Sequence, residues 1–162
     1  MAALHRKHFD IAEILHRHGA DIHVWGGLTF TPLHAATVDG RVDVAQFEVA
    51  RMLLEHRADV NARTQDGCSP LHIASYSFLI RDQLDIMQLL LEHGADANAL
   101  DDEGSTPLHR SLYVPEEVTI LIKPSLEVIC LLLKHGANID VENSKGKTAF
   151  QIASEKGYHE IV

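Results

Sequence analysis

Twelve histidines, two cysteines and a run of three acids are the residues of this chain whose types could carry chemistry. A metal site needs converging ligands, which on a helix means residues three or four apart, as in H-E-x-x-H. His16-Arg-His18 is the nearest approach, but alternate residues of a helix point to different sides. Cys68 and Cys130 lack the close spacing of a zinc knuckle and are too few for a disulfide framework. Neither has a neighbouring sequence cue that would activate a thiolate. Lys145-Gly-Lys-Thr148 imitates the end of a P-loop, yet the first glycine of G-x-x-x-x-G-K-[ST] would fall at Val141 and no strand precedes it. There is no G-x-S-x-G. Asp101-Asp102-Glu103 fits a solvated surface or a contact for basic partners better than an acid/base pair. These residues point to no catalytic, metal or cofactor site, and the chain is expected not to be an enzyme.

Composition narrows the partners. At 46% hydrophobic and 23% charged residues, the 162-residue chain has too much apolar content for a disordered tail and is expected to fold as one domain. A formal charge of -9 with no Lys/Arg cluster disfavours nucleic acid. Apolar stretches such as Val128 to Leu133 are far too short to span a bilayer, and the N-terminus has no signal-peptide apolar core. Cysteine usage and the absence of an N-x-Ser/Thr sequon predict an intracellular setting, cytoplasmic or nuclear.

The elements come from self-similarity. One pattern reads Thr31-Pro-Leu-His-Ala-Ala, Ser69-Pro-Leu-His-Ile-Ala, Thr106-Pro-Leu-His-Arg-Ser and a weaker Thr148-Ala-Phe-Gln-Ile-Ala. The other reads His18-Gly-Ala-Asp, His56-Arg-Ala-Asp, His93-Gly-Ala-Asp and His135-Gly-Ala-Asn, each after a helical apolar pattern such as Ile86, Leu89, Leu90. From the second pattern to the next first pattern is always 12 positions: 19 to 31, 57 to 69, 94 to 106, 136 to 148. The first patterns themselves start 38, 37 and 42 residues apart, so one segment is held to length while another takes insertions. The Thr or Ser before each proline is a natural N-cap, the proline suits a first helical turn, and the glycine after each histidine is the expected left-handed stop. Each unit is then a helix pair that buries its apolar face only against its neighbours.

This resembles the ankyrin repeat family, whose repeat of about 33 residues is a β-turn finger plus two antiparallel helices with a T-P-L-H-x-A signature. The resemblance implies an all-α repeat solenoid of stacked helix-turn-helix units joined by β-turn or hairpin fingers. It divides one domain, 1–162, into a partial repeat at 1–24, repeats at about 25–62, 63–99 and 100–141, and a truncated unit at 142–162. Relative to the family length, about five extra residues near Gln46 to Ala50 lengthen a second helix. About four surround Phe78 to Gln83, and roughly nine lie between Pro115 and Pro124, where Glu116 to Lys123 read as a loop between paired helices. The incomplete ends suggest a fragment of a longer array or a frayed one. A monomer is favoured, the abrupt ends being where two copies would pair.

The resemblance also implies a non-catalytic scaffold that meets another protein, of unspecified identity, through finger tips and the exposed end of each first helix. Carried over residue by residue, those positions are Gly27, Leu28, Phe30, Val38 and Asp39; Gln65, Asp66, Cys68, Tyr76 and Ser77; Asp102, Glu103, Ser105, Tyr113 and Val114; and Ser144, Lys145, Lys147, Glu155 and Lys156. Trp25 joins the first finger. Tyr76 and Tyr113 fall at the same repeat position, and exposed aromatics bury much area with few rotors to freeze; burial under the finger or against the next repeat is the competing use. His34, His72 and His109 are expected to hydrogen-bond finger backbone, and His18, His56, His93 and His135 to face the negative ends of helices. Asn61 and Asn98 match finger asparagines that asparaginyl hydroxylases modify in the family. The other reading is a regulatory or targeting segment of a larger enzyme such as an NTPase or kinase.

Overall fold

Each Ser/Thr-Pro pair starts a helix, and the reason is visible at every start. Ser69 and Thr106 are extended N-caps whose side-chain oxygens accept from the His72 and His109 amides, and each histidine ring returns the bond to the cap's own N–H. Thr148 and Gln151 make the same reciprocal pair without a proline. Thr31 and His34 pair in the same way at the start of the preceding first helix, so this is a capping box with histidine in place of the usual Glu or Gln at three of these four starts.

The structure is a computed structural model that describes residues 19, 31–38, 44–76, 83–114 and 123–159. Within them lie seven helices: α1 (Pro32–Val38), α2 (Val44–Glu55), α3 (Pro70–Ala74), α4 (Gln83–Glu92), α5 (Pro107–Ser111), α6 (Leu126–Lys134) and α7 (Ala149–Glu155). The first helices form one row, α1 on α3 on α5 on α7, and the second helices another, α2 on α4 on α6. Each first helix packs on the second helix that follows it, α1 on α2, α3 on α4 and α5 on α6. The chain is an all-α repeat solenoid, as predicted. Helices of five residues, such as α3 and α5, are far below the length that holds alone in water, so packing supplies their stability.

That packing runs between the rows. Leu33, Leu71 and Leu108 of the first helices bury against Leu53, Ile86, Met87, Leu90 and Leu132 of the second, with Ala36, Ala74 and Ala153 allowing close approach. Each fully buried Leu is worth roughly 1.5–3 kcal/mol relative to exposure. The second helices stop alike. Gly94 and Gly136 take positive φ, and the Gly94 and Gly136 amides donate to the Leu91 and Leu133 carbonyls, followed by Ala95 to Leu90 and Ala137 to Leu132. Arg57 keeps this geometry without being glycine, at φ 64°.

Among the described residues α2 has 12 residues against 10 in α4 and 9 in α6, and Gln46 to Ala50 of the first insertion lie within it. The second insertion ends differently from the expectation. Gln83 is the first residue of α4 and is buried. With its amide nitrogen turned toward acceptors it donates to the Ala74 and Tyr76 carbonyls at 2.7 and 3.2 Å, satisfying the end of α3. Residues 78–82 and 116–122 of the insertions, and all of the partial repeat at 1–24 except residue 19, lie outside the described residues. Among the described residues no helix is long and apolar enough to cross a membrane.

Candidate functional site

The fingers are built by side chains that accept backbone N–H groups. In the finger before α5, Asp101 Oδ1 accepts from the Glu103 and Ser105 amides, both at 2.9 Å. In the finger before α7, Asn143 Oδ1 accepts from Lys145 and Lys147 at 2.9 and 3.2 Å. Thr64 Oγ1 accepts from the Cys68 amide at 3.1 Å in the finger before α3. Fingers also join one another: the Asp102 amide donates to Asp66 O at 3.1 Å and the Ser144 amide to Glu103 O at 2.9 Å. Gly67 and Gly104 make this approach possible, since a Cβ on Gly67 would come within 2.3 Å of Asp102 Oδ1 and one on Gly104 within 3.0 Å of the Ser144 nitrogen.

These bonds leave Gln65, Asp66, Asp102, Glu103, Ser144 and Lys145 exposed along one edge. Lys147 is half-buried and ion-paired with Glu155. Arg63 approaches Asp102 at 3.4 Å, both side chains being more than half exposed, so that pair contributes little. Below the edge, Tyr76 and Tyr113 come together from adjacent repeats in an edge-to-face pair, with ring centroids 5.8 Å apart and an interplanar angle of 87°. Tyr113 is 48% exposed and Tyr76 half-buried. Arg110 lies 5.9 Å over the Tyr76 ring and Lys156 Nζ 5.7 Å over the Tyr113 ring, so cations of this chain already cover a π-face of each tyrosine. Burial pushes the Tyr76 hydroxyl above its ordinary value.

Arg110 and Asp101 are the supporting residues that the repeat pattern did not single out. The Asp101 carboxylate is fully buried and takes Arg110 Nε at 2.6 Å and an Nη at 2.5 Å, tying a finger to its own helix while the guanidinium reaches the neighbouring tyrosine. The signal was present: Arg110 occupies the position held by Ala35, Ile73 and Ile152 in the other first helices.

The remaining sequence candidates divide. Ser105 and Val114, expected on the contact surface, are buried, and Cys68 is half-buried with its thiol pushed up by burial. Val38 closes α1. Trp25, Gly27, Leu28, Phe30, Asp39 and Ser77 lie outside the described residues. Asn61 and Asn98 clip repeats together. Asn61 Nδ2 donates to Gly94 O at 3.1 Å and its Oδ1 accepts from the Asp96 amide at 2.9 Å; Asn98 does the same with Gly136 O at 2.9 Å and the Asn138 amide at 2.7 Å. The signature histidines bond finger backbone as expected: the Nε2 atoms of His34, His72 and His109 meet the carbonyls of Cys68, Ser105 and Lys147 at 3.1, 3.0 and 3.0 Å. His56 and His93 face their helix ends through Nδ1, which donates to the Met52 and Leu89 carbonyls.

The family model for ankyrin repeats matches residues 1–101 and 46–124. No curated protein matches the chain. Ankyrin repeats generally mediate protein–protein interaction, and the family is typically non-catalytic. On the match across most of its length and the repeated helix pairs, the chain belongs to the ankyrin repeat family.

Proposed function

We propose that the chain is a non-catalytic interaction module that binds another protein through its finger tips and first-helix face. The observation that carries this reading is the Tyr76–Tyr113 pair, which leaves a large aromatic surface half exposed on a braced support. Aromatic anchors held rigid before binding lose little entropy on contact, which is why they dominate interface energetics. Gln65, Asp66, Asp102, Glu103, Lys145 and Lys147 flank that anchor, and Trp25, Leu28, Phe30 and Val38 extend the proposed surface toward the N-terminal end. The neighbouring Asn61 and Asn98 are proposed hydroxylation acceptors. Both are engaged with the next repeat, so modification there requires the turn to open first.

The test is the Tyr76→Ala/Tyr113→Ala double variant against a partner obtained by affinity capture. Loss of two central anchors of about 2 kcal/mol each lowers affinity by more than a hundredfold, while Gln88→Ala on a second helix leaves it unchanged. Unaltered affinity of a double variant that is folded by circular dichroism would place the partner on another face.

A further inference from the structure

His72 and His109 are each held in one tautomer by what surrounds them. A backbone N–H can only donate, so the Ser69 and Thr106 amides, 3.1 and 3.2 Å from Nδ1, make that nitrogen an acceptor. The proton therefore resides on Nε2, which donates to Ser105 O and Lys147 O of the following finger. One neutral ring thus closes the cap of its own helix and fastens the next repeat. The facing charged groups are Asp101 and Arg110, which are paired with each other and act on both rings in opposite directions.

We propose that His72 and His109 form a pH-sensitive latch between repeats, in which a proton taken from solvent at Nδ1 displaces the amide and hydroxyl donors of Ser69 and Thr106 from that nitrogen and so unseats the ring that reaches the finger beyond. Burial supports this by holding both rings below the ordinary histidine value of 6.5. The sign follows from linkage: the unfolded chain takes up the proton first, so the stabilisation is complete above pH 6.5 and is lost as pH falls toward the folded-state values. The fourth repeat shows the cap half of this joint without a titrating group. Gln151 Oε1 accepts from the Thr148 amide at 2.9 Å, and Thr148 Oγ1 accepts from the Gln151 amide at 3.3 Å. Glutamine therefore fits the position and does not respond to acid.

The experiment compares the full chain with its His72→Gln/His109→Gln variant by urea denaturation at pH 7.5 and pH 5.5. In the wild type the folding constant falls over this range by up to about tenfold more per latch histidine than in the variant, or about a hundredfold for two. Equal losses in both proteins overturn the latch. NMR of the wild-type ring nitrogens gives a second reading that does not depend on the variant folding. Rings that remain neutral with Nε2 protonated at pH 6 support the latch, and rings that titrate at or above the ordinary histidine value overturn it.

Discussion

Arg57, at φ 64°, is the non-glycine with positive φ among the described residues, at a position where Gly94 and Gly136 take 86° and 83°. A side chain in the left-handed region costs roughly 1–2 kcal/mol through the clash of Cβ with its own backbone. A Cβ on Gly94 or Gly136 would meet nothing within 4 Å, so the cost at this joint comes from the residue's own backbone and not from its neighbours. Gly67 differs, because there a Cβ would also strike the Asp102 backbone nitrogen at 2.8 Å. Arg57→Gly relieves the strain, offset in part by the greater freedom of glycine in the unfolded chain. The expected net gain is up to about 1 kcal/mol, which for a domain of this size raises the Tm by roughly 2–4 °C. A scan by differential calorimetry checks it, and an unchanged or lower Tm would reject the strain.

At the scale of elements, a finger and a first helix form one unit only if something joins them, and in the third full repeat that is Asp101. Its Oδ1 shapes the finger and its Oδ2 holds Arg110, which is 16% exposed. Removing one partner of a buried pair strands the other charge, so Asp101→Ala costs about 3–5 kcal/mol. Asp101→Asn costs less, because an amide oxygen shapes the finger before α7 in the same way, through Asn143. Guanidinium chloride titration should rank the three proteins wild type, Asn, Ala; equal losses for both variants would mean that finger shaping contributes nothing. Much of this level was legible in the sequence. The caps at Ser69, Thr106 and Thr148, the stops at Gly94 and Gly136 and the constant finger spacing are local chemistry, and local chemistry repeats. What escaped reading depends on neighbours distant in sequence. Val114 and Ser105 hold surface positions in the repeat pattern but are buried, and Gln83 reads as insertion but closes the end of α3. The shared repeat position of Tyr76 and Tyr113 was legible, whereas their contact with each other and the cations over their rings depend on side chains of different repeats.

Across the whole molecule, stability in a stack is approximately a sum of repeat terms and nearest-neighbour interface terms, so weakening one interface lets one end open while the other stays closed. Asn98 is suited to testing this, because its two bonds both cross the boundary between the α3–α4 and α5–α6 repeats at the side of the second helices. Each bond contributes roughly 0.5–1.5 kcal/mol net, and for an accessible amide the lower half of that range applies, so Asn98→Ala weakens the boundary by about 1–2 kcal/mol. Among the described helices four lie on the N-terminal side of this boundary and three on the C-terminal side, so the C-terminal side is expected to open first. Hydrogen exchange should show α6 and α7 of Asn98→Ala losing protection by about tenfold while α2 and α4 keep theirs, since a boundary loss of 1.4 kcal/mol is a factor of ten. A uniform loss over all helices would mean that the array unfolds as one block and that its repeats are not separable units. No loss anywhere would mean that the leucines of α4 and α6 hold the boundary without the clip.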